Sequence, residues 1–220
     1  MTLSSTLRWG IFYTLWLIVI FFALYLSSIA LSYFSFDLNY GFLKAKKDML
    51  DNPLWVVFFF VHLFFGAVAT LSGWPLFFKC LVHFKSVWHK RIGKAYIYSI
   101  LLFTGPTGLY LSFFAEGGQW ATVGFILMSL AWMFPTYMAF YFIVNKNLKA
   151  HYRWIIRSYC MTLSGVTLRL FMPFGARIDT WNEETTFIIS SYVWIFNVLL
   201  GEIILWFNKN QQENLDALIE

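Results

Sequence analysis

Charge is what this chain has least of. Only 12% of its 220 residues are Asp, Glu, Lys or Arg, against 60% hydrophobic and 22% aromatic. A water-facing domain of that size has no interior large enough for so much apolar surface, so lipid must be the solvent for most of the chain. Cysteine is scarce as well. Cys80 and Cys160 lie in or beside apolar runs, which excludes an extracellular disulfide framework; both read as small buried residues. The familiar catalytic signatures are missing. There is no Walker loop, Rossmann glycine fingerprint, nucleophile elbow or zinc-protease helix. No Ser or Thr stands beside both a base and an orienting acid, which removes hydrolytic chemistry. No repeat, low-complexity segment or second domain is visible, so residues 1–220 read as one transmembrane domain.

What is present is a series of apolar runs, at about 9–33, 54–78, 89–114, 120–144, 150–171 and 185–207. Each is long enough to cross a bilayer. The first is too long for a signal-peptide core and lacks a small-x-small cleavage site, so it reads as a retained span. Phe, Tyr and Trp in this number fit a lipid-facing surface with interfacial anchors. Asp51-Asn52-Pro53 is a good helix start, a capping side chain followed by proline in the first turn. Ser72-Gly73-Trp74-Pro75 should kink or end the second run, and Pro106 should kink the third. Leu76 to Lys90 reads either as a frayed helix end or as a short interfacial helix. The expected fold is an all-α integral membrane protein, a six-transmembrane-helix bundle, cytochrome-b-like in kind.

Six spans put both termini on one side. The Lys and Arg of 79–94 and 145–153 assign that side to the cytoplasm. The acidic turn at Glu116 and the loop from Asp179 to Glu184 then fall outside; the three lysines of the 36–52 connection run against this assignment. The net charge of +5 sits in short loops, so no nucleic-acid partner is needed to explain it. The bilayer is the expected partner, with other membrane subunits as further partners.

The fifth run, Ala150 to Phe171, is apolar overall yet carries His151, Arg153, Arg157 and Arg169. At about 100° per residue, His151, Ser158, Thr162, Gly165 and Arg169 fall in one stripe. A polar stripe along a buried helix is costly unless another helix meets it. His89 and His151 open the third and fifth runs and lie at similar depth. His62 lies deeper, about 12 Å from the opposite surface at 1.5 Å per residue, with no histidine at its own level. Small residues accompany each of them: Gly66 and Gly73 with His62, and Gly93 and Tyr96 with His89. Two readings compete. Small residues at spacing four let helix backbones approach in lipid. Alternatively, histidines on facing helices with glycines alongside accommodate a flat cofactor, haem b, ligated by His89 and His151. A metal site on the same two histidines is a third option, to which His83 would add a weak further ligand.

The remaining charges need partners. Arg157 and Glu202 sit at matching depth on runs five and six, and a buried ion pair is expected. Arg169 lies near the outer surface and is expected to meet Asp179, Glu183 or Glu116, or an anionic group such as a haem propionate, a lipid headgroup or a substrate carboxylate. Arg91 reads as a solvated or lipid-phosphate contact.

Several segments together resemble a known group. They are His62 through Gly73, Trp88-His89-Lys90-Arg91-Ile92-Gly93-Lys94-Ala95-Tyr96, Gly117-Gly118, His151-Tyr152-Arg153-Trp154-Ile155-Ile156-Arg157-Ser158 and Val166-Thr167-Leu168-Arg169. The group is an uncharacterised bacterial multi-span membrane protein family, domain of unknown function twenty-three-oh-six. The resemblance implies a multi-pass protein of a bacterial cytoplasmic (inner) membrane. It places His62, His89, Arg91, Gly93, Tyr96, His151, Arg157 and Arg169 at motif positions and leaves His83 outside. It brings no activity with it. Three functions are therefore expected in competition: a haem- or quinone-linked electron-transfer protein, a non-enzymatic accessory or assembly subunit, and a solute or ion pathway.

Overall fold

A computed structural model describes residues 5–77, 87–175, 177–178 and 182–207. Every regular element among them is helical. Helix α1 is Ser5–Ser32, α2 Gly41–Ala45, α3 Pro53–Gly73, α4 Val87–Tyr98, α5 Gly105–Ser112 and α6 Gly118–Val144. Then come α7 Leu148–Thr162, α8 Ser164–Gly175, α9 Glu183–Ser190 and α10 Trp194–Phe207. Four stretches are long and apolar enough to cross a membrane: Trp16–Ser35, Pro53–Phe77, Gly118–Val144 and Glu184–Trp206. The other two apolar runs are helical but divided. A π-helical segment, Ser99–Thr104, joins α4 to α5, and Leu163 separates α7 from α8.

Local chemistry sets these boundaries. Asn52 Oδ1 accepts from the Leu54 and Trp55 amides at 3.1 and 3.2 Å, and Pro53 fills the first turn of α3. The helix stops at Gly73 and continues only as the 3-10 turn Trp74–Phe77, as Ser72-Gly73-Trp74-Pro75 implied. Residues 78–86, with His83, lie outside the described residues. Asn147 caps α7 by accepting from the Ala150 amide at 3.0 Å. Pro106 lies at the start of α5, just beyond the π segment. A proline cannot donate back along the ladder, and the chain absorbs the break as a wider turn rather than an end.

The helices close into a ring. Helix α1 packs on α3; α3 packs on α4, the π segment and α5; α5 packs on α6. Helix α6 packs on α7 and α9, α7 on α10, and α8 on α9, α10 and α1. Two ends result. The Glu116 end carries the close of α1 and α8 and the start of α3 and α6. The Asn147 end carries the close of α3 and α6 and the start of α4 and α7.

The polarity of this ring is inverted relative to a soluble protein. Thr104, Thr136, Ser158, Ser190, Ser191 and Asn197 are among the most completely buried side chains, while Leu17 and Trp206 are 67% and 71% exposed. Lipid is as apolar as Leu, so helices gain most by turning hydrogen-bonding and small residues inward. Gly124 follows the same logic: a β-carbon there would collide with Ser191. Apolar clusters brace both ends. Tyr33, Leu43, Trp55 and Phe59 pack at the Glu116 end, and Leu76, Tyr96, Ile155 and Tyr159 on the other side of the midplane.

Candidate functional site

Helix α7 presents Ser158 and Thr162 one turn apart on the face that α4 and α6 cover. The Tyr96 phenol from α4 reaches both, at 2.8 Å to Ser158 Oγ and 2.8 Å to Thr162 Oγ1. From α6, Thr136 Oγ1 lies 2.7 Å from Ser158 Oγ, and Trp132 Nε1 donates to Thr162 Oγ1 at 3.0 Å. Thr162 also donates to the Ser158 carbonyl at 3.1 Å, and Thr136 to the Trp132 carbonyl at 2.8 Å. The cost of burying Ser158 and Thr162 is thus met by a hydroxyl network linking three helices. Groups of this kind, desolvated and mutually bonded, hold helices in one register. Tyr96 was expected as a site residue. Trp132 and Thr136 were not, although their spacing of four on one run was a usable sign.

Two turns toward the Asn147 end stands His151. Its Nδ1 lies 2.8 Å from the Ala139 carbonyl. A carbonyl only accepts, so Nδ1 carries the proton and Nε2 keeps the lone pair. His89, at the start of α4, is close enough for its charge to act on His151. The Nδ1 atom of His89 is buried and has no hydrogen-bond partner among the described residues. The two histidines are thus near enough to feel one another's charge.

His62 belongs to a different neighbourhood. Its Nδ1 donates to the Thr104 carbonyl at 3.0 Å, and Thr104 Oγ1 donates back to the His62 carbonyl at 3.2 Å. The imidazole is seated against Gly108, where a β-carbon would lie 2.9 Å from Cε1 and 3.5 Å from Ser129 Oγ. The partner it lacked in sequence is the last residue of the π segment. Its charged neighbour is Arg169, not another histidine.

The expected glycines differ in how closely the protein's own side chains approach them. A β-carbon at Gly73 would collide with the Tyr159 ring and come within 2.9 Å of Tyr96. At Gly66 it would meet Thr104 Oγ1 at 3.8 Å, and at Gly93 Leu76 Cδ2 at 3.9 Å. The Tyr159 and Tyr96 rings occupy the space beside Gly73. No group of three or more His, Cys, Asp or Glu suited to a metal exists among the described residues. A metal at His89 and His151 would have two protein ligands from that set.

Of the cations, Arg157 meets Glu202 as expected. Nε lies 2.5 Å from Oε1 and Nη2 2.9 Å from Oε2, a two-pronged pair. It is less enclosed than expected, with side-chain exposures of 22% and 50%. The Arg157 guanidinium also lies over the Trp154 ring at 4.7 Å. This pair lines a surface groove of about 620 Å³ with Asn147, Lys149, Ala150 and Arg153. Arg91 is exposed and covers the Trp88 ring at 5.7 Å, a membrane-surface arrangement. Glu116 is not the partner of Arg169; it pairs with Lys46 at 2.5 Å. Asp179 lies outside the described residues, as does the side chain of Glu183.

A family model described as a predicted membrane protein (DUF2306) matches residues 59–205. No curated protein and no solved structure matches. The matched interval contains every histidine and arginine discussed above and excludes α1 and α2.

Proposed function

The chain belongs to this family of predicted membrane proteins, and from that premise we propose that it is a six-span redox protein holding a metal-centred group, haem b in the first instance, at His89 and His151. In this reading the divided helices α4–α5 and α7–α8 complete six crossings. The Asn147 end faces the bacterial cytoplasm, because the Lys and Arg of 79–94 and 145–153 gather there. Both termini lie on that side, and a quinone in the bilayer is the partner class for electron exchange.

The observation that carries the proposal is the fixed tautomer of His151. Histidines that ligate a metal through Nε2 usually donate Nδ1–H to a backbone carbonyl, which orients the ring and raises its basicity. His151 does so at 2.8 Å. Beside it, His89 buries a ring nitrogen with no partner among the described residues, the condition of a donor atom awaiting a ligand. Haem bound through these imidazoles would supply one-electron chemistry. The chain's own part is to hold His151 through Ala139 and to fix α4 against α7 through Tyr96.

The test is the visible spectrum of protein purified from haem-replete cells, oxidised and reduced. A Soret band is expected in the wild type and in His62→Ala, and its loss in His89→Ala and in His151→Ala. A wild-type protein with neither a Soret band nor a bound transition metal would overturn the proposal. That result would favour the second reading, an accessory subunit, which the closed Tyr96 network supports because it satisfies its own polar groups and so serves as a rigid scaffold.

A further inference from the structure

Arg169 is a largely buried cation with no carboxylate beside it among the described residues. It lies on α8, six residues before the helix ends at Gly175, about 9 Å along the axis at 1.5 Å per residue. Among the described residues its one hydrogen bond runs from Nη1 to the Gly165 carbonyl of its own helix, at 3.3 Å. A guanidinium has five N–H donors, so most of its capacity is unused. The titratable groups close enough to act on it or to feel it are Tyr25 and Tyr33 on the α1 side and His62 on α3. None of these is an anion at neutral pH.

Four of the described carboxylates are engaged or located elsewhere. Glu116 is held by Lys46 and Glu202 by Arg157. Glu184 lines a hollow with Gly117, Gly118 and Asn182 at the mouth of the turn. Asp37 caps the Asn39 amide. An in-membrane arginine without a counter-charge is costly, and such residues pair or mark a binding site. Helix α8 touches α1 at Gly165, where a β-carbon would lie 3.3 Å from Leu26 Cδ2. One turn further, the flanking Tyr25 and Leu170 are exposed on the apolar surface.

We propose that Arg169 is the anchor of a binding site for one anionic headgroup, a phosphate or carboxylate, carried by an amphiphile whose tail lies along the α1–α8 seam. The guanidinium supplies a planar fork that matches two oxygens of such a group. The exposed apolar flank of Tyr25 and Leu170 supplies contact for the chain. This site lies toward the Glu116 end, away from His89 and His151, and stands whether or not those histidines hold a metal.

The test uses full-length protein stripped of lipid in detergent and then offered phosphatidylglycerol, phosphatidylcholine, oleate or inorganic phosphate. Native mass spectrometry counts what remains bound, and thermal unfolding reads the stabilisation. The expected result is one phosphatidylglycerol per chain whose affinity falls about tenfold or more in Arg169→Met and is partly kept in Arg169→Lys, where the charge remains but the fork is lost. Displacement by oleate would identify a carboxylate amphiphile, and equal stabilisation by inorganic phosphate a soluble source. Equal retention of phosphatidylglycerol by wild type and Arg169→Met overturns the proposal. So does loss of stability in Asp179→Asn or Glu183→Gln that matches Arg169→Met without lipid, because the counter-ion is then internal. Should Arg169→Met fail to fold, the wild type decides alone: equal binding of phosphatidylglycerol and phosphatidylcholine overturns it.

Discussion

At the scale of single residues, the effect of a substitution depends on the space around the missing atom. Gly66 and Gly73 lie on the same helix and look alike in sequence. A methyl at Gly66 would sit in ordinary contact with Thr104 Oγ1 at 3.8 Å; at Gly73 it would enter the Tyr159 ring. Gly73→Ala is therefore expected to lose about 1–3 kcal/mol of unfolding free energy, the usual cost of overpacking, with Gly66→Ala within about 0.5 kcal/mol of wild type. Reversible unfolding in mixed micelles measures both. The difference was not legible in the chain, because it depends on two tyrosines that converge from other helices. The Arg157–Glu202 pair was legible. Counting residues in from two helix ends gives depth, and in a bundle the two members of an in-membrane ion pair must share one. What depth cannot give is rotation about the axis, and that is why Glu202 proved half exposed rather than enclosed.

At the scale of elements, α7 is held by hydroxyls as well as by apolar contact on its inner face. Tyr96→Phe keeps the ring and removes the oxygen. Ser158 retains Thr136 and Thr162 retains Trp132, so neither is orphaned. The expected loss is about 1–2 kcal/mol, the range for a buried hydrogen-bonded group. The same unfolding assay checks it, and Thr136→Val should not add its full cost in the double variant, since the two share Ser158. The 100° rule exposed the stripe on this helix, and a regular helix is what that rule assumes. Past Leu163 the assumption fails: α8 begins anew, and Gly165 and Arg169 turn toward α1 rather than toward α4. Periodicity found the polar residues but carried no information on which helix the last two would face.

At the scale of the molecule, inverted polarity is the organising fact. Composition alone announced it, and it needed no knowledge of which helix touches which. Sidedness follows from loop charge and is directly testable. With Cys80 replaced by Ser, single cysteines at Lys44 and Lys149 should react with a membrane-impermeant maleimide from opposite faces of sealed vesicles. Labelling of both from one face would refute an odd number of crossings between them. Cys160 is buried and should stay silent in either case. The π segment has a consequence for how such a sequence can vary. It carries one residue more per turn than the ladder on either side. Before it, Tyr96 addresses α7; after it, Gly105 and Gly108 address Met133, His62 and Ser129. Deleting a single residue between Ser99 and Thr104 would restore an ordinary helix and leave α5 facing the same neighbours, because the wider turn has already absorbed that residue. A length change of one residue is therefore tolerable there, whereas the same deletion within α3 or α6 would turn all that follows by about 100°.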